Sequence, residues 1–211
     1  MLSFRKRSAQ TSIFRSGAAT GVGVSGVLTA FVSFYFTIIA EPGDTIFINL
    51  RASGGLANYA PGWTTIGNVA GLFSAVHVVT TSDTGTYEMR WGSNASNAGL
   101  QYMVCAGTYG WRNTSLTSFS SALVCTLPPI SILKNSTVLV YHTTVGGQGN
   151  VTARTIAPSG YVLAVSSTIF LESRYKIYGD DISDGFTLTW TPGPTPPVTT
   201  RISRVEILGA T

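Results

Sequence analysis

Two histidines, nine carboxylates and two cysteines are most of the reactive inventory of this 211-residue chain. His77 stands in the alternating run Ser74-Ala75-Val76-His77-Val78-Val79, and His142 follows Tyr141 near the end of another extended run. An imidazole base needs a nucleophile and an orienting acid, and a zinc site needs further ligands at set spacing. The sequence offers neither beside these two: it has no Ser nucleophile elbow, no paired His and no Gly-rich phosphate loop opening a helix. Triad members can come from distant strands, but both histidines read more simply as core or rim residues. The chain is therefore expected to be a non-enzyme with no catalytic residue and no cofactor.

Gly179-Asp180-Asp181-Ile182-Ser183-Asp184-Gly185 is the strongest candidate for a metal, because calcium takes hard oxygen ligands from tight loops. The EF-hand spacing and its terminal Glu are missing, so a hairpin turn using Asp and Gly for their dihedral freedom is the better reading, and no metal is expected. Four tryptophans raise the question of sugar binding. Trp91 and Trp190 suit a pleated core surface. Trp111, in Tyr109-Gly110-Trp111-Arg112-Asn113, reads as a loop, which makes Tyr109, Trp111 and Arg112 a candidate contact site. Cys105 and Cys125 lie in apolar strand settings; a disulfide between them needs α-carbons about 6 Å apart, and buried thiols fit the setting slightly better.

The elements that must position these residues come in two copies. Ala60-Pro61-Gly62-Trp63-Thr64, Leu72 to Val79 and Gly85-Thr86-Tyr87-Glu88-Met89-Arg90-Trp91 are matched by Ala157-Pro158-Ser159-Gly160-Tyr161, Ile169 to Tyr178 and Gly185-Phe186-Thr187-Leu188-Thr189-Trp190, at a shift of 97 to 99 residues. Trp91 and Trp190 hold equivalent places. Strands are expected near 27–40, 45–52, 70–80, 86–92, 100–108, 122–126, 136–143, 150–156, 168–178, 185–191 and 201–208, with Gly, Asn, Ser and Pro between them. No segment has a sustained helical period. The prediction is an all-β, antiparallel, jelly-roll-like sandwich over residues 25–211, built from halves at about 25–126 and 127–211 that pack face to face around a pseudo-twofold axis.

Only 10% of the residues are charged, against about 25% in ordinary soluble domains. Such a surface suits an assembled or extracellular β protein better than a cytosolic enzyme. Of the 13 basic residues, Arg5, Lys6, Arg7 and Arg15 precede any acid, and the rest of the chain balances. Residues 1–24 are thus expected to form a basic arm that extends from the sandwich, with Phe4, Ile13 and Phe14 adding apolar contacts. The uncharged stretch Ser16 to Ala40 is long enough to span a bilayer. Its four glycines and the period-two pattern from Leu28 to Ile39 argue for a strand instead, so no membrane is expected.

Gly43-Asp44-Thr45 before an aliphatic strand, Ala60-Pro61-Gly62-Trp63-Thr64, an aromatic strand, Gly85-Thr86-Tyr87 leading to Trp91, and a strand ending near Ala106-Gly107 together resemble the β-sandwich modules of bacteriophage virion proteins, head decoration and fibre components among them, and of some secreted bacterial adhesive proteins. The resemblance covers about residues 25–208 and rests on turn and core residues. It implies a virion structural protein, a capsid-bound decoration or cement protein that acts by protein-protein assembly as a homo-oligomer, with capsid subunits and its own copies as partners. The arm residues Phe4, Arg5, Lys6, Arg7, Ile13, Phe14 and Arg15 would dock on a neighbour. One alternative is a shell-forming jelly-roll capsid protein whose arm faces the genome; nucleic acid ranks below protein as a partner because four cations are few. Another is an extracellular adhesive or glycan-binding module.

Overall fold

Strands buried on both faces organise this molecule. The structure is a computed structural model that describes residues 14–22, 32–52, 62–69, 72–91, 97–106, 110–145, 151–168, 171–192 and 199–209. Its strands are β1 (Phe14–Val22), β2 (Val32–Thr37), β3 (Thr45–Ala52), β4 (Thr64–Val69), β5 (Leu72–Val78), β6 (Thr86–Trp91), β7 (Asn97–Cys105) and β8 (Trp111–Ser120). They continue as β9 (Val124–Ile132), β10 (Thr137–Val145), β11 (Val151–Ala157), β12 (Val162–Thr168), β13 (Leu171–Ile177), β14 (Ile182–Pro192) and β15 (Thr199–Ile207). Every ladder is antiparallel. The all-β antiparallel sandwich expected from the sequence is the observed class.

Two five-stranded sheets, β1-β7-β3-β5-β4 and β8-β15-β10-β13-β12, share one strand order. Smaller sheets, β2-β6 and β9-β14-β11, cover their outer faces. The layering follows from period-two alternation along continuous apolar runs, as expected where a strand has protein on both sides. On β3, Ile46, Ile48 and Leu50 enter a core that includes Tyr87 of β6, while Phe47 enters a central core with Leu139, Tyr141, Val205 and Ile207. On β10, Val138 and Val140 enter the other outer core with Phe186, Leu188 and Trp190. The stack thus has four layers and three cores, where the sequence suggested two halves sharing one core. Each half has enough strands to cover itself once its short outer sheet is counted.

The central contact is reciprocal. Strand β1 lies against β12, and its topological counterpart β8 lies against β4, the counterpart of β12. Polar pins cross the same layer: Ser203 of β15 donates to Asn49 Oδ1 of β3 at 2.7 Å, and Ser173 of β13 donates to Gln101 Oε1 of β7 at 2.7 Å, while Ser74, the neighbour of Asn49 in its own sheet, donates to the same Oδ1 at 2.6 Å. Register makes Ser203 the counterpart of Gln101 and Ser74 that of Ser173, so equivalent positions of the two repeats supply these polar groups. Gly67 is needed for the close approach of β4 to β8, since a Cβ there would lie 2.6 Å from the Leu116 Cβ.

Topology also moves two expected boundaries. The repeats run β1–β7 and β8–β15, so the second begins before Trp111 rather than near residue 127, because β8 pairs with β15. Part of the expected arm is strand: Phe14 to Val22 pair with β7, Phe14 opposite Cys105 and Arg15 opposite Val104, which satisfies backbone groups of both strands. Phe4, Arg5, Lys6, Arg7 and Ile13 lie outside the described residues. Among the described residues, no helix is long and apolar enough to cross a membrane.

Candidate functional site: a charged pocket and a neutral sheet face

Register makes one repeat a control for the other. Thr45 pairs with Val78 and Cys105, and Thr137 pairs with Ile177 and Ile207, so the two threonines are counterparts. Counting on from them, Leu50 lies between Phe73 and Leu100 in the first repeat, and His142 lies between Glu172 and Ile202 in the second. The fold closes this position with three apolar side chains in one sandwich. In the other it holds an imidazole and a carboxylate, both fully buried.

Glu172 is compensated by two guanidinium groups. Arg154 of β11 donates from Nε to Oε2 at 2.7 Å and from Nη2 to Oε1; Arg174 of β13 donates to Oε2 from Nε at 3.1 Å and Nη2 at 3.0 Å. Arg174 Nη1 also reaches the Tyr161 carbonyl at 3.4 Å, and Ser166 donates to Oε1 at 3.3 Å. His142 Nε2 stands 3.8 Å from Oε2, with its ring edge-on to Trp190. Two positive groups against one carboxylate leave a surplus of one positive charge. Both arginines line an open pocket of about 350 Å³ whose remaining wall includes Ile156, Pro158, Ser159 and Tyr161. The sequence reading missed this cluster. Its only trace was a charge at Glu172 where the first repeat has Phe73.

The sequence-predicted residues sit elsewhere. Trp111 is on β8, opposite Ile207, and packs half-buried against the central core. Arg112 donates from Nε to the buried Glu206 at 2.8 Å and from Nη2 to the Ser131 carbonyl at 2.8 Å, tying β8 to β15 and β9. Both therefore belong to a strand rather than to a contact loop, and Tyr109 lies outside the described residues. The acidic run is a bend at Gly179 and Asp180 that leads into β14: Asp184, on the strand, accepts from Lys176 and Tyr178, both at 2.9 Å, and Asp181 accepts from the Lys134 amide at 2.7 Å. No group of three metal-ligating side chains occurs among the described residues. Cys105 lies in the central core and Cys125 in the second outer core; both are free and buried.

His77 has a counterpart too. Its Nε2 lies 3.0 Å from Asp83 Oδ1 and its Nδ1 3.1 Å from the Gly62 carbonyl, beside the Trp63 ring at 5.1 Å. In the second repeat Lys176 takes that place, over the rings of Tyr161 and Tyr178 and bonded to Asp184. The edge-on pairs Trp63 with Tyr87 and Tyr161 with Phe186 match likewise. These aromatic, cation and acid sets close the same end of each sandwich.

The outer face of β9-β14-β11 is the second feature of note. Its cross-strand rows are Ala153 with Thr191, Thr155 with Thr189 and Val124, and Ala157 with Thr187 and Thr126. Their neighbours along each strand point into the core, and none of the eight is charged. Val124 is 55% exposed.

The chain matches no family model and no curated protein. A solved structure of a conserved protein of unknown function from Pseudomonas aeruginosa PAO1 is similar to it, with a TM-score of 0.42 at 12% identity, over 93% of this chain and 80% of that one. Likeness at that level carries no argument about function.

Proposed function

We propose that this chain is a virion structural protein that decorates a capsid, docking by the uncharged outer face of β9-β14-β11. The observation that carries the reading is that face: three cross-strand rows of Thr, Ala and Val, in a chain with 10% charged residues. A sheet exposed to water as a permanent monomer surface ordinarily carries charges that keep it soluble and unpaired. The resemblance of the turn and core residues to phage β-sandwich modules supplies the word virion. Three of the four tryptophans support protein over sugar as the partner, because Trp190 is buried and Trp63 and Trp111 pack half-buried against cores.

The reading is tested by purifying particles from the organism that encodes the chain and quantifying it by mass spectrometry. Many copies per particle are expected in the purified virion fraction. Absence from particles while the chain is abundant elsewhere would contradict it. A shell protein would instead form closed particles alone.

A further inference from the structure

We propose that the pocket between β11, β13 and the turn before β12 binds a small monocarboxylate, held by Arg154 and Arg174 beside Glu172. The fold is closed at this place by Leu50, Phe73 and Leu100 in the first repeat, all buried, so it does not require ions there. A buried ion cluster is poor evidence of stabilisation, because desolvation offsets most of the attraction. Its presence in one repeat alone calls for another purpose.

The ligand class follows from charge and shape. Arg154 and Arg174 carry a surplus of one positive charge over Glu172 and open onto about 350 Å³, at the small end of ligand sites. Arg154 Nη1 makes no bond to protein among the described residues, and it belongs to a planar fork suited to carboxylate oxygens. A dianion such as phosphate would bring a second negative charge against Glu172, which like-charge repulsion disfavours. Ile156, Pro158 and Tyr161 supply the apolar part of a mixed lining that also holds Thr155 and Ser159, so a carboxylate with a short apolar body gains contacts that a bare ion lacks.

The test is titration of the full chain with acetate, benzoate, phosphate and sulfate, followed by the Nε–H resonances of Arg154 and Arg174. Benzoate is expected to shift both saturably, at least about tenfold more tightly than phosphate. Two variants assign the site. Arg154→Met removes one fork; since it can also unfold the cluster around Glu172, Ser159→Trp fills the mouth from an exposed position and leaves the ions intact. Each should weaken benzoate about tenfold or more, with the melting temperature of Ser159→Trp unchanged. No saturable shift with either carboxylate, phosphate binding as tight as benzoate, or undiminished binding in Ser159→Trp would each overturn the proposal.

Discussion

Asp184 shows how single carboxylates stabilise this chain. Burial opposes its ionisation, but Lys176, the Tyr178 hydroxyl and the Gly185 amide outweigh that and hold its pKa below the usual value. Asp83 behaves alike: burial opposes ionisation, and the Thr80 amide and hydroxyl with the His77 ring prevail. A folded pKa below the unfolded one gives stability that is present above the ordinary carboxylate range and is lost as pH falls through the folded value. Asp184→Asn should therefore cost about 1–3 kcal/mol near pH 7 and much less near pH 3, as read from urea melts. An equal cost at both pH values would show that charge contributes nothing there. The thiols give a second prediction. Burial pushes Cys105 up to about 12, with Asp44 adding to the shift, and burial raises Cys125 as well. Neither should react with a disulfide reagent near pH 8 until the chain unfolds, when both should; one fast native thiol would contradict the assigned cores.

At the scale of elements, β1 and β4 carry the sharpest expectations. Deleting residues 1–23 removes β1 and bares the edge of β7, whereas deleting 1–13 keeps that strand. The longer deletion should melt lower than the shorter and self-associate through that edge; equal melting of the two would show that β1 adds nothing. Gly67→Ala should cost about 1–3 kcal/mol, since the new methyl overlaps Leu116. Legibility in the sequence divides along the same line. The strands β3, β5, β6, β10, β13 and β14 were readable because apolar and aromatic residues recur at period two, and the Pro-Gly turns marked the repeat. Strands β4 and β8 were not, because Thr64-Thr65-Ile66-Gly67 and Thr114-Ser115-Leu116-Thr117-Ser118 are mostly small and polar, as edge strands permit. Strand β1 is not legible as a strand because Ser16-Gly17-Ala18-Ala19 shows neither apolar alternation nor a turn signal. Arg174 lies two residues from Glu172 on one face of β13, but the ion cluster was illegible as a site because Arg154 of β11 reaches Glu172 only through the packing of two sheets, which no local pattern encodes.

The whole molecule is two sandwiches joined by a central core of Phe47, Leu72, Val76, Met103, Leu139, Tyr141, Val205 and Ile207. Neither repeat hides this surface alone, so the chain should unfold as one unit. Phe47→Ala should cost about 3–5 kcal/mol and lower a single transition, and two separate transitions would show that the sandwiches fold independently. The central functional claim is assembly through the face that carries Thr189, Thr126 and Val124. It is tested most directly by light scattering after size exclusion of the intact chain, with and without capsid particles, beside the variant Thr189→Glu. The native chain is expected to associate with particles at a fixed stoichiometry, and the variant to keep the native melting temperature while losing that association, because a buried unpaired carboxylate is costly at an interface. Unchanged association of Thr189→Glu would contradict docking by this face.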